Sequence, residues 1–446
     1  MRRSLTLANQ EQNKGPAAIY AVLLLSVVLT LALCFFHISG STMAVLAVLC
    51  GYLLCLAFAC IRNMTLPVLL YFLPWSALMR TSPTSFSFFT FGLVLVCAIN
   101  FIKSGLRLKA YQVIAGLLLC AITLLAKLLH GYSFAFSYIA FLMMIVLFPV
   151  VIEEMRQQRY SFFHTVVFFS LGIIIAALCA QYLAALPNIA QYIRVFSNSQ
   201  IMRRCGFYGD PNFFAAQITA ALAGCLILVL NTNKKSRIVV LCVLVIFLLY
   251  CGLLSASKSF VLVTAGLVLL WFAQLLMLKG RMGLKVIMIL VSVLIVGYIA
   301  SSSLFGELIE DIVIRLSNAS NLDDFTTHRT RLWASYTEAI VSDVRILFLG
   351  NGITNVKANG IGSHNTLLQI VWQCGLVGLP VIAMWVASLL RDGLSNERAL
   401  RKQILSAAII CCGVYLPWMA IDILFADEFF LLQAYLICGL RMGFKR

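Results

Sequence analysis

Runs of apolar residues follow one another almost end to end along this chain, each of the roughly 17–25 residues that a helix needs to cross a bilayer. In lipid every backbone N–H and C=O must be satisfied within the protein, so such runs fold as helices packed side by side. The 446 residues are 62% hydrophobic and 11% charged, with a mean hydropathy of +0.99. A soluble domain carries about a quarter charged residues. The expected fold is therefore all-α, a polytopic transmembrane helical bundle rather than a soluble enzyme with an anchor. Met1–Lys14 is polar and the run 17–38 is long enough to span and stay, so no cleavable signal is expected.

Spans are expected at 17–38, 42–61, 64–79, 85–102, 110–129, 134–152, 164–186, 211–230, 237–255, 259–278, 286–303, 364–390, 403–422 and 427–441. The third is broken by Pro67 and Pro74 and is a candidate re-entrant segment, which leaves about 12–14 helices. The chain thus divides into helices with short loops over 1–303, one large polar loop over 304–362, and C-terminal helices over 363–446. Net charge is +17, and every second loop is basic: Arg62, Lys103/Arg107/Lys109, Arg156/Arg159, Lys234/Lys235/Arg237, Lys279/Arg281/Lys285, Arg391/Arg398/Arg401/Lys402 and the tail Arg441/Lys445/Arg446. The positive-inside rule then puts both termini in the cytoplasm and the large loop outside. These charges do not cluster on a soluble domain, so a nucleic-acid surface is not expected. The fifteen cysteines lie mostly within spans, without metal-like spacing. Only Cys205 and Cys374 fall near the outer face, where a bridge between them stays open.

The middle of the membrane is nearly free of charge. Only Lys127 and Asp422 approach it, both toward outer helix ends, which disfavours an ion-coupled transporter and favours chemistry at the outer interface. There three turns share one design. Arg203-Arg204-Cys205-Gly206-Phe207-Tyr208-Gly209-Asp210-Pro211-Asn212 leads into the span at 211, with Asp210 suited to cap the helix and Pro211 to its first position. Ser257-Lys258-Ser259 leads into the span at 259, and Ser363-His364-Asn365 into the span at 364. Each is a helix N-terminus opening outward, where free N–H groups and the helix dipole favour an anion, and each carries a cation or a titratable base.

The large loop has its own helical patterns. Leu304, Phe305, Leu308, Ile309, Ile312, Val313 and Leu316 suit an amphipathic helix lying on the membrane. Leu332, Trp333, Tyr336, Ile340, Val344 and Leu347 form a second stripe that stops at Gly350-Asn351-Gly352, with Arg329 and Arg331 at its start. Asp323-Asp324 fits a solvated acidic pair rather than a metal site.

Together these segments resemble the O-antigen ligase and polymerase family of bacterial membrane glycosyltransferases. Arg203 to Asn212, followed by Phe213-Phe214-Ala215, is similar to the family's Arg-x-x-Gly…Pro-Asn turn. Ser257-Lys258-Ser259 resembles its Ser-Arg turn, with lysine in place of arginine. Arg331-Leu332-Trp333 followed by Leu349-Gly350-Asn351-Gly352 resembles its Arg-x-x-Trp…Gly-x-Gly region, one residue short. His364-Asn365…Leu368-Gln369…Gly375-Leu376-Val377-Gly378 resembles its His-Asn…Gly-Leu-x-Gly helix and is the most specific of the four. The resemblance is sharpest over 200–390; residues 1–200 share only hydropathy.

The resemblance implies a GT-C-like fold and glycosyl transfer on the outer face of the bacterial cytoplasmic membrane. The donor would be a glycan on undecaprenyl diphosphate and the acceptor a hydroxyl of a second such glycan, without metal, nucleotide sugar or other cofactor. His364 is then the general base, and Arg203, Arg204, Arg331 and Lys258 are diphosphate ligands supported by Asn212, Arg329 and Asn365. His328 is an alternative base. A chain-length regulator and a flippase are candidate partners. The same residues would serve a repeat-unit polymerase, the favoured reading, or a ligase moving finished glycan to a lipid A core. A flippase for the same lipid-linked unit is disfavoured, because neither inverted repeats nor a charged central cavity is seen. The glycan polymerases of the shape and division family are disfavoured because their motifs have no match.

Overall fold

The computed structural model describes residues 15–103, 109–131, 136–155, 160–193, 195–197, 202–207, 209–277, 326–354, 356–393 and 404–442, together with isolated positions between 306 and 323. Among them eight helices are long and apolar enough to cross a membrane, and the only strands are the short pair β1 (Val195–Ser197) and β2 (Met202–Arg204). The all-α membrane bundle expected from the sequence is the fold observed. The span expected at 286–303 and the amphipathic helix expected at 304–316 lie outside the described residues, apart from single positions of the latter.

The helices run α1 (Gly15–Ile38), α2 (Thr42–Ile61), α3 (Thr65–Phe72), α4 (Phe88–Lys103), α5 (Ala110–His130), α6 (Phe136–Leu147), α7 (Pro149–Glu154) and α8 (Phe162–Leu183). They continue with α9 (Pro211–Asn231), α10 (Lys235–Leu254), α11 (Lys258–Met277), α12 (Arg329–Ser342), α13 (Val344–Leu349), α14 (Thr366–Gly393), α15 (Ile404–Tyr415) and α16 (Asp427–Met442). Several expected spans are interrupted, and the reason is local. Pro74 ends α3 in a 3-10 turn at Leu73–Trp75, Pro149 separates α6 from α7, and Pro417 turns the end of α15 into a 3-10 segment at Leu416–Ala420. Proline lacks the N–H that would continue the hydrogen-bond ladder. Every residue of α3 is buried, so this short segment is enclosed by protein, the setting in which interrupted helices are tolerated at membrane depth.

Helix α9 is the axis of the bundle. In its most apolar window 89% of residues are buried, against 28–39% for α1, α2, α5, α10 and α11. The outer helices instead expose large apolar side chains such as Leu24, Leu54, Leu128 and Leu269, as a lipid-facing surface does. Around α9 the helices approach closely through small residues and cross-helix hydrogen bonds. Thr219 donates to the Gly413 carbonyl (3.0 Å) and Gln217 Nε2 to Glu428 Oε1 (2.8 Å). Because α9, α10 and α11 are joined by tight turns, α9 and α11 start at the same end of the bundle.

Helix α14 is broken at Gly375, whose φ of 65° lies in the left-handed region. A Cβ there would sit 2.2 Å from the Phe348 carbonyl oxygen, so the glycine permits both the turn and the seating of α13 against α14. Gly375→Ala is expected to cost about 2–5 kcal/mol from the left-handed φ and the steric overlap together. The check is the midpoint of thermal unfolding in detergent, and an unchanged midpoint would contradict this account of the break.

The second loop stripe forms two helices rather than one. Asp343 leaves the helical region (φ −123°, ψ 110°) and caps α13 by accepting from the Arg345 N–H, at 2.8 Å. The α12–α13 pair packs Tyr336 and Ile340 onto Ala358 and Trp372. Gly350 ends α13 at a positive φ of 69°, a helix stop as the sequence suggested, donating its N–H to Ile346 O at 2.8 Å.

Candidate functional site

Four helix starts converge on one cavity of about 690 Å³. Asp210 caps α9 and Pro211 and Asn212 begin it, Lys258 and Ser259 begin α11, Thr326 to His328 form the turn before α12 and Arg329 its first residue, and His364 lies in the turn before α14. Arg203 reaches in from β2. Each contributor has an identifiable local cause. Asp210 is extended (φ −143°, ψ 127°) and accepts from the Asn212 N–H at 2.7 Å, with Pro211 in the first turn. This is the cap the sequence suggested. The Asn212 side chain accepts from Ser257 Oγ (2.9 Å), and Ser257 Oγ shares a hydrogen bond with Ser259 Oγ (2.8 Å), tying the starts of α9 and α11 together. Arg203 Nε donates to the Ser255 carbonyl (3.1 Å), which fixes the strand against the same turn.

His364 does not begin a helix. It stands two residues before α14 with φ 48°. Asn365 takes the capping role, its Oδ1 accepting from the N–H groups of Leu367 (3.0 Å) and Leu368 (3.3 Å). The flanks of His364 are pinned by Asp422, whose Oδ1 accepts from Ser363 Oγ and from the Asn365 N–H (3.2 Å). A Cβ on Gly362 would come 2.3 Å from Asp422 Oδ2. From the other side Trp333 Nε1 donates to the Ser363 carbonyl (3.1 Å) and Tyr336 OH to the Ile361 carbonyl (2.6 Å). The imidazole itself makes no hydrogen bond among the described residues.

Of five non-glycine residues with positive φ among those described, four adjoin this cavity: Ala256 (43°), Thr327 (59°), His328 (61°) and His364 (48°). Each left-handed residue costs roughly 1–3 kcal/mol, and such strain gathers where a site demands a particular geometry.

The electrostatics favour an anion. Three cations, Arg203, Lys258 and Arg329, line the cavity against a single carboxylate, Asp210. The Arg329 guanidinium makes no hydrogen bond among the described residues. Burial pushes its pKa down, opposed by the nearby carboxylates Asp210 and Asp422, and an arginine so placed remains charged. One flank is apolar and open: Leu262, Leu416 and Met419 line the cavity and are also exposed on the bundle surface.

The expected site residues are only partly brought together. Arg203, Asn212, Lys258, Arg329 and His364 line the cavity, as does His328. Asn365 lies beside it as the cap of α14. Arg204 does not: alternate residues of a strand face opposite ways, and Arg204 lines a separate void of about 20 Å³ with Cys205 and Phe214. Arg331 is also elsewhere. Its side chain is 79% exposed and its Nε pairs with Asp323 Oδ2 at 2.8 Å. Asp422 was missed as a positioning residue; its signal was that of a carboxylate near the end of an apolar span. Cys205 and Cys374 are buried and not bridged to each other.

Asp323 is a capping group. It accepts from Thr330 Oγ1, from the Arg331 N–H (3.3 Å) and from Arg331 Nε, and it pairs with His328 Nδ1 (3.1 Å). The Thr330 hydroxyl first, then His328, hold its carboxyl down at about 2. Because this folded value lies below the ordinary value of about 3.9, its contribution is complete above that value and disappears as the pH falls through about 2. The first turn of α12 is therefore expected to keep slow amide exchange down to about pH 4. Asp323→Ala should exchange quickly there even at neutral pH. Hydrogen-exchange mass spectrometry of the 326–333 segment checks this, and identical exchange in the two proteins would contradict the capping role.

No protein-family model matches the sequence, and no curated protein matches it.

Proposed function

We propose that this protein is a membrane glycosyltransferase that polymerises undecaprenyl-diphosphate-linked oligosaccharide repeat units on the outer face of the bacterial cytoplasmic membrane, in a GT-C-like fold. The observation that carries the reading is the joining of a cationic, helix-start-lined cavity to an exposed apolar flank, with a histidine on its wall. A lipid diphosphate needs both halves of that surface. Its phosphates suit Arg329, Arg203, Lys258 and the helix N–H groups, and its polyprenyl chain suits Leu262, Leu416 and Met419. The basic loops at the opposite end of the helices support the outward orientation.

The reaction follows from these groups. His364 takes the proton from an acceptor sugar hydroxyl as its oxygen attacks the anomeric carbon of the donor. The bond from that carbon to the diphosphate oxygen breaks, and the lipid diphosphate leaves with the electron pair. The negative charge that develops there is met by Arg329 and by Arg203, whose Nε is already held on the Ser255 carbonyl. Single displacement inverts the anomeric centre.

The test is purified protein in detergent with a lipid-diphosphate-linked repeat unit and no other substrate. A ladder of products one repeat apart is the expected result. A single transfer that requires an added lipid A core acceptor would replace the polymerase by a ligase. Lipid-linked unit moved across vesicle membranes without new glycosidic bonds would make the protein a flippase.

A further inference from the structure

A second cavity, of about 930 Å³, lies beside the first and shares Asp210 with it. It is formed by the 76–90 segment, the start of α16, α6 and the Phe207–Phe213 turn. Its charge is the reverse of its neighbour's: Asp210, Asp427 and Glu428 line it against one cation, Arg80. With one arginine facing three carboxyl groups, it offers a diphosphate far less cationic support than the first cavity does.

Its chemistry matches hydroxyl-rich sugars. Phe86, Phe213 and Phe425 line it and are at least partly exposed; aromatic faces carry negative potential, on which weakly positive sugar C–H edges rest. Asp427 Oδ2 accepts from Thr90 Oγ1 at 2.8 Å, and Gln191 adds a neutral amide on the wall. Arg80 donates through Nη1 to the Pro83 carbonyl (3.1 Å), while its Nε is buried without a partner among the described residues. Carboxylates take charge-assisted hydrogen bonds from sugar hydroxyls.

We infer that this second cavity is a saccharide site for sugars without acidic substituents, holding glycan next to the diphosphate cavity with the Asp210 turn as the boundary. The inference rests on the proposed transferase reading for the identity of its ligand as acceptor glycan. Sugar binding itself does not depend on turnover.

The experiment uses the full-length protein in detergent and saturation-transfer NMR. The probes are a panel of neutral tetrasaccharides in gluco, galacto and manno configuration and their uronic-acid counterparts at millimolar concentration, with undecaprenyl diphosphate as the control ligand. At least one neutral tetrasaccharide is expected to bind, and its uronic-acid counterpart to bind more weakly. Phe86→Ala, at an exposed side chain, and Thr90→Val are each expected to weaken the neutral sugar about tenfold. Undecaprenyl diphosphate should bind both variants as it binds the unaltered protein. No binding by any neutral sugar, equal binding by the uronic acids, or binding indifferent to both substitutions would overturn the inference. Variant-sensitive sugar binding in a protein that forms no glycosidic bond, with or without an added lipid A core acceptor, would leave the saccharide site standing and remove the transferase reading.

Discussion

His364→Ala is expected to lower product formation by about a hundred- to ten-thousand-fold, the range that a positioned general base contributes, while membrane expression and donor binding stay near those of the unaltered protein. The ring is not part of the core, and no hydrogen bond to it within the described residues would be lost. The turn around it is held by Asp422, Trp333 and Tyr336, which the substitution leaves in place. The informative comparison is His328, which lines the same cavity and whose Nδ1 is paired with Asp323. That pairing leaves Nε2 to accept a proton, the arrangement by which a carboxylate orients a base. His328 nevertheless has a side chain 66% exposed at the cavity mouth, where water competes for the hydroxyl proton. His328→Ala is therefore expected to reduce the rate several-fold at most. If His328→Ala abolished product and His364→Ala spared it, the roles of the two would be exchanged. An Asp422→Asn variant separates position from charge. It keeps an acceptor oxygen for Ser363 and Asn365, so a large loss there would assign Asp422 a charge-dependent part beyond holding the turn.

What the sequence shows of this site depends on how local the cause is. The Asp210-Pro211 start and the Gly350 stop are legible because capping is decided by residues within one turn. The convergence of α9, α11 and α14 follows from span alternation, which apolar run length determines. Facing is different. Arg203 and Arg204 are adjacent on a strand, and Arg329 and Arg331 are two apart on a helix, spacings that point side chains in opposite or nearly opposite directions. Which member of each pair meets the cavity depends on how the element is rotated. For α12 that rotation is set by Trp333 and Tyr336 reaching carbonyls near position 362, contacts that no local pattern encodes. The break at Gly375 has the same character, since its reason is the Phe348 carbonyl across the chain. The move of the helix start from His364 to Thr366 was within reach, because Asn365 is among the best capping residues.

Arg329 then becomes the arginine on which donor recognition should depend most. Its guanidinium is half-buried, lacks hydrogen-bond partners among the described residues, and sits at the start of α12 where the helix N–H groups also favour negative charge. A charge-assisted hydrogen bond contributes about 1.5–3 kcal/mol, so Arg329→Ala should raise the donor KM about ten- to a hundred-fold. Arg329→Lys should recover only part of the loss, because a point charge cannot reproduce the two-pronged contact with a phosphate. Arg331→Ala supplies the contrast. Its guanidinium is engaged with Asp323 and is 79% exposed, and exposed pairs of that kind contribute about 0–1 kcal/mol. The donor KM should therefore change no more than about fivefold in Arg331→Ala. Donor KM measured for the three variants with one lipid-linked substrate decides the matter. A larger loss in Arg331→Ala than in Arg329→Ala would mean that α12 rotates on binding the donor to present its other face, and the geometry of the cavity without substrate would no longer identify the diphosphate ligands.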